Sequence, residues 1–181
     1  MALNATIHKA ELHIADNDRG YYGSHAITLA RHPSETDERM MIRLLAYALY
    51  EKGDDLLSFT RGLSDNDEPD LWRRDLTGII EQWVEVGLPD ARRLLKACGR
   101  AQEVIVFAYG RSVATWWSDV APKVARARGL KVFTLPVAGT QALAALAERT
   151  MTLNINIQDG TIWVSGHGGE ANLEVARLHP A

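Results

Sequence analysis

Asp70 and Glu81 are two carboxylates with ten residues between them. Asp70 directly follows Pro69, and Glu81 opens the run Glu81-Gln82-Trp83-Val84-Glu85. Carboxylate oxygens are hard ligands, and a pair of them brought together by folding can hold Mg2+ or Mn2+. Such a cation activates a water molecule and neutralises charge on a phosphodiester. The expected cofactor is therefore Mg2+ or Mn2+, and the expected chemistry is hydrolysis of nucleic-acid phosphodiesters.

A Pro-Asp pair followed at this distance by an acidic residue has the spacing of PD-(x)n-(D/E)-x-K, a metal-dependent nuclease signature. Its lysine helps to position or deprotonate the water and stabilises developing negative charge. Trp83 stands in the lysine place here. Glu85-Val86-Gly87 is a rival for the final triplet, with glycine in that place. Residues two apart on a strand are separated by about 6.6 Å, so Glu81 and Glu85 would stand about 13 Å apart and cannot share one metal without a bulge. The spacing from Pro69-Asp70 favours Glu81. Glu35 and Glu68 are auxiliary metal-ligand candidates. Lys96, on the helix that follows, is the candidate electrostatic helper in catalysis with Glu81.

Positioning these groups requires a particular order of elements. Thr6 to Ile14 alternates as a strand with Ala10, Leu12 and Ile14 on one face, and Tyr21 to Leu29 returns after a polar turn. A helix runs from Ser34, a candidate N-cap, to about Lys52, with Glu35 and Asp37 in its first turn. Its buried stripe is Met41, Leu44, Leu45, Ala48 and Leu49. Strands follow at Leu56–Thr60, Leu71–Leu76 and Ile79–Val86. In the last of these, Ile80, Val84 and Val86 share one face and Glu81, Trp83 and Glu85 the other. A helix from Pro89-Asp90 to Cys98 leads to Val104–Ala108, an apolar run typical of a strand buried on both faces. A helix from Ser112, a strand at Leu130–Leu135 and a helix over Thr140–Arg149 come next. Asp159-Gly160 is the preferred type I′ turn of a hairpin, and Asn172–Leu178 is a closing strand. From residue 34 to 108 the order is αβββαβ, the core of the PD-(D/E)XK fold. The expected fold is α/β (α+β). It is a single domain over residues 1–181, with a mixed β-sheet, flanking helices, an added N-terminal hairpin and added C-terminal strands.

Composition narrows the setting. The chain has 181 residues, 46% apolar and 24% charged, with a net charge of −3. These are ordinary values for a globular protein, and the balance argues against a strongly basic nucleic-acid binder. No apolar run approaches the roughly 18 residues of a membrane span. The first residues, MALNATIHKAELH, contain no apolar signal core. The lone Cys98 excludes an intrachain disulfide framework. A cytoplasmic protein with no membrane contact is expected, with nucleic acid or protein as partner.

Each feature also has a plainer reading. A half-exposed strand carries a polar face simply because it meets water, and a short acidic pattern arises often by chance. Arg93, Lys96 and Arg100, with Arg92 adjacent, recur at helical spacing and could meet phosphates, but such runs are more often solvated faces. Glu35, Arg39 and Arg43 are spaced for i,i+4 pairing alone. Trp116-Trp117 could stack bases, although adjacent rings on a helix point apart. Cys98 reads as a buried thiol.

Longer segments carry a resemblance. Leu29–Leu49, Phe59–Leu63, Asp67–Trp72, Glu81–Cys98 and Arg149–Ser165 are similar to the YaeQ family of bacterial proteins over essentially the whole chain. The resemblance implies a variation of the PD-(D/E)XK nuclease fold and no established activity or substrate. Tryptophan in the lysine place belongs to that family pattern. Two functions are therefore expected in competition. One is a Mg/Mn-dependent nuclease with Asp70 and Glu81 as ligands. The other is a nuclease-fold module without catalysis that binds nucleic acid or protein.

Overall fold

The computed structural model describes residues 4–180. Residues 1–3 and 181, which belong to the one-domain and signal-peptide expectations, lie outside the described residues. The alternating N-terminal segments form a hairpin of β1 (Thr6–Asp16) and β2 (Tyr21–Arg31). Every second β1 residue from His8 to Asp16 is buried. β8 (Thr150–Gln158) lies parallel to β1 and turns through Asp159-Gly160 into β9 (Thr161–Gly166). Both turn residues have positive φ, 51° and 77°, as a type I′ turn requires.

The fold is α+β, but the strands form two mixed sheets rather than one. The first is five-stranded, in the order β10-β9-β8-β1-β2, with β10 at Gly169–Glu174. The second is six-stranded, β11-β7-β6-β5-β4-β3. Its strands are β3 (Leu57–Phe59), β4 (Leu71–Arg74), β5 (Ile80–Val86), β6 (Ala101–Ala108), β7 (Leu130–Thr134) and β11 (Ala176–His179). The expected closing strand at Asn172–Leu178 is thus two strands, one in each sheet.

Two helices fill the space between the sheets. α1 (Asp37–Tyr50) and α4 (Val137–Ala144) share a core with Leu12, Leu153 and Ile162 of one sheet and Val84, Val86 and Phe107 of the other. Every residue of α1 from Met40 to Ala48 is buried, so this stretch has no solvent stripe and is apolar but for Arg43, whose charge Glu35 compensates. Burying one such leucine is worth about 1.5–3 kcal/mol. α2 (Ala91–Cys98) and α3 (Val113–Val124) cover the other face of the six-stranded sheet, packing around Trp83, Leu94, Val106 and Val120. α4 starts earlier than expected, with Pro136 at its N-cap, and ends earlier, at Ala144. No described helix is long and apolar enough to cross a membrane.

The α1 cap also differs from expectation. Thr36, not Ser34, is the N-cap, and its hydroxyl accepts from Arg39 N at 3.1 Å. Glu35 therefore precedes the helix and is turned inward.

Candidate active-site cleft

Sheet register decides which carboxylates meet. Leu71 on β4 pairs with Val84 on the antiparallel β5. Asp70 N donates to Val84 O at 2.9 Å, and Val86 N donates to Asp70 Oδ2 at 2.7 Å. Asp70 therefore lies beside Glu85 and Val86. Glu81 lies toward the other end of β5, and no hydrogen bond or ion pair of its side chain occurs among the described residues.

A β-bulge contributes to this outcome. Arg73 pairs with Gln82 and Arg74 with Ile80, so Glu81 has no partner on β4. A bulge breaks the alternation of a strand. Ile80 accordingly packs with Trp83 and not, as expected, with Val84 and Val86.

Asp70 and Glu85 are only 2% and 4% exposed, so their charges need partners. Asp70 Oδ1 accepts from Arg39 Nη2 at 2.6 Å, and the same nitrogen donates to Val86 O at 3.1 Å. Arg39 Nη1 donates to Glu35 Oε1 at 2.9 Å. Arg43 grips the same Glu35 with two bonds of 2.7 Å. Burial works against the Arg39 charge, but Asp70 and Glu35 outweigh it and hold the guanidinium above its ordinary pKa.

Glu85 Oε1 accepts from Trp83 Nε1 at 2.7 Å and from Arg93 Nε at 2.8 Å. Burial, and then the charge of Asp70, push the Glu85 carboxyl above its usual range, against the pull of Arg93 and Trp83. Glu68, on the loop before β4, accepts from Arg61 N at 3.1 Å. Asp70, Glu85, Glu68, Arg39 and Arg93 line one cleft of about 290 Å³.

Lys96 does not turn toward Glu81. Its ammonium bonds Asp67 Oδ1 at 2.7 Å on the surface. Arg39 and Arg93 enter the cleft instead. In sequence Arg39 offers only an i,i+4 pairing with Glu35, and no local signal ties it to an aspartate on another element. Trp116 donates to Pro89 O and packs with Trp117 against the α2–α3 core, which accounts for both rings structurally. Cys98 is half-buried rather than buried, and burial raises its thiol pKa, which lowers its thiolate fraction.

A divalent cation fits this donor set poorly. Among the described residues no three His, Cys, Asp or Glu side chains form a group able to hold a metal ion. Both oxygens of Asp70 already accept hydrogen bonds.

The sequence profile described as YaeQ protein matches residues 1–175. A Salmonella typhi protein described as "Uncharacterized protein YaeQ" is 49% identical over 97% of this chain and 95% of its own length. Its Escherichia coli K12 namesake is 48% identical over the same shares. The crystal structure of YaeQ protein from Xanthomonas axonopodis pv. citri is 48% identical, covers 96% of this chain and 98% of its own, and has a TM-score of 0.91. That of YaeQ protein from Pseudomonas syringae is 37% identical, covers 98% and 97%, and has a TM-score of 0.92. With this likeness along nearly its whole length, the chain belongs to the YaeQ family.

Proposed function

We propose that this chain is a nuclease-fold module that binds rather than cuts, serving a binding or regulatory role on nucleic acid or protein. The order from α1 to β6 is that of a PD-(D/E)XK core, and Asp70, just before β4, and Glu85, on the neighbouring β5, lie side by side as the signature's two acids would. The observation that carries the reading is Arg39. Its Nη2 lies 2.6 Å from Asp70 Oδ1 and 3.1 Å from Val86 O. A guanidinium holds two hard oxygens that a divalent cation would need. Arg93 holds Glu85 in the same way. No lysine stands two residues after Glu81 or Glu85, since Trp83 and Gly87 fill those places.

Calorimetry with millimolar Mn2+, paired with incubation of DNA and RNA in the same buffer, tests the reading. The expected result is no saturable heat and no cleavage. Saturable Mn2+ binding with chelator-sensitive cleavage would establish the rival, a Mg/Mn-dependent hydrolase whose ligands are Asp70 and Glu85.

A further inference from the structure

The loop between β3 and β4 lies along α2 as an acidic strap. It reads Ser64-Asp65-Asn66-Asp67-Glu68. Three basic residues on one side of α2 and just past its end hold it. Arg93 donates to Asn66 O at 2.6 Å and to Glu68 O at 2.8 Å. Lys96 bonds the Asp67 carboxylate at 2.7 Å, and Arg100 donates to Asp67 O at 2.9 Å. The Asp67 carboxyl is held below its usual range, chiefly by Lys96. Asp65, Asn66 and Glu68 also form one wall of the cleft above Asp70 and Glu85. The strap thus walls the cleft and occupies the basic face together.

We propose that the basic face Arg93–Lys96–Arg100 is a docking surface for a nucleic-acid phosphate backbone, and that the acidic strap is an internal competitor that occupies it. This rests on the binding reading above and names its partner. Charge complementarity carries the inference. A guanidinium or ammonium that donates to a carboxylate and main-chain carbonyls in this geometry donates to phosphate oxygens equally well. Arg93 and Lys96 stand one turn apart on α2, and Arg100 follows its C-cap Gly99, so the three line one edge of the strap. The strap bonds on this face are exposed at Lys96 and Asp67, with side chains 62% and 72% accessible. Such pairs are weak, typically worth about a factor of 1.5 to 5 in an equilibrium. Multivalent phosphate contacts can displace them. Arg93 also bonds Glu85, so lifting the strap opens the carboxylate cleft toward the bound strand.

Fluorescence anisotropy of a short labelled DNA in EDTA and low salt tests this without any metal. Asp67→Asn should bind DNA up to about fivefold more tightly than wild type, because it removes the carboxylate that Lys96 holds. Lys96→Ala combined with Arg100→Ala should bind more weakly. That variant should also reduce the slope of log K against log salt by about 0.9 per lost duplex phosphate contact. Hydrogen exchange at Asn66 and Asp67 of the wild-type chain should accelerate when DNA is added. This measurement needs no variant to fold. Equal affinity of wild type and strap variant, no binding by either, or unchanged binding in the Lys96/Arg100 variant would each overturn the proposal. Chelator-sensitive cleavage would overturn the binding reading instead, and EDTA keeps the two failures apart.

Discussion

Trp83 donates its indole N–H to Glu85 at 2.7 Å, from two residues earlier on the same strand. The tryptophan that displaces a lysine in one reading of the signature is thus a hydrogen-bond donor to the acid of the other. The ring is 2% exposed, stacks edge-on against Trp72 and lies under the Arg100 guanidinium. It fixes the Glu85 rotamer while filling the core beneath α2.

Replacing this donor should be measurable. Trp83→Phe keeps most of the ring but leaves Glu85 Oε1 with Arg93 alone. Losing one donor to a buried carboxylate costs about 1–3 kcal/mol. Urea unfolding should show a lower midpoint with an unchanged slope.

Arg39 should be more costly. Arg39→Ala leaves Asp70 without its ion pair and Glu35 with Arg43 alone. Breaking a buried pair costs about 3–5 kcal/mol. The same variant frees Asp70 Oδ1 and Val86 O, so it should gain Mn2+ affinity by calorimetry relative to wild type.

Stability should depend on pH through Glu85. Its folded pKa lies above the unfolded value, chiefly through burial. The folded state therefore holds the proton more tightly. The contribution is fully present below the unfolded pKa and is lost as pH rises through the folded pKa. Glu85→Gln should remove this fall. Urea midpoints of wild type and variant across mildly acidic to neutral pH provide the comparison.

Glu81→Ala should be silent. The side chain sits at a bulge and makes no bond among the described residues, so the change in stability should stay within about 0.5 kcal/mol. DNA affinity should also match wild type by anisotropy.

Much of the framework was legible because it rests on local chemistry. The β1–β2 alternation, the Asp159-Gly160 turn, the apolar β6 and the Asp90 cap of α2, accepting from Arg93 N at 2.8 Å, each follow from a few neighbouring residues. Met40 to Ala48 reads as a helix but not as one enclosed between two sheets, because nothing local says that Arg43, in the middle of the run, is buried with Glu35 rather than exposed to solvent. The Asn172–Leu178 segment reads as one strand, since only the position of the two sheets makes Val175 the crossing point between β10 and β11.

The sequence by itself determined that acidic residues follow Pro69 and recur along β5, and that basic residues line one side of α2. Spacing along the chain favoured Glu81 and Lys96. Only the tertiary structure decided which of these groups meet. The antiparallel register places Asp70 against Val86 and Glu85, and the bulge leaves Glu81 unopposed on β4. Arg39 reaches Asp70 from a helix 31 residues away in sequence. Partners this distant are chosen by strand register and by the need to compensate buried charge, and neither is written in local sequence.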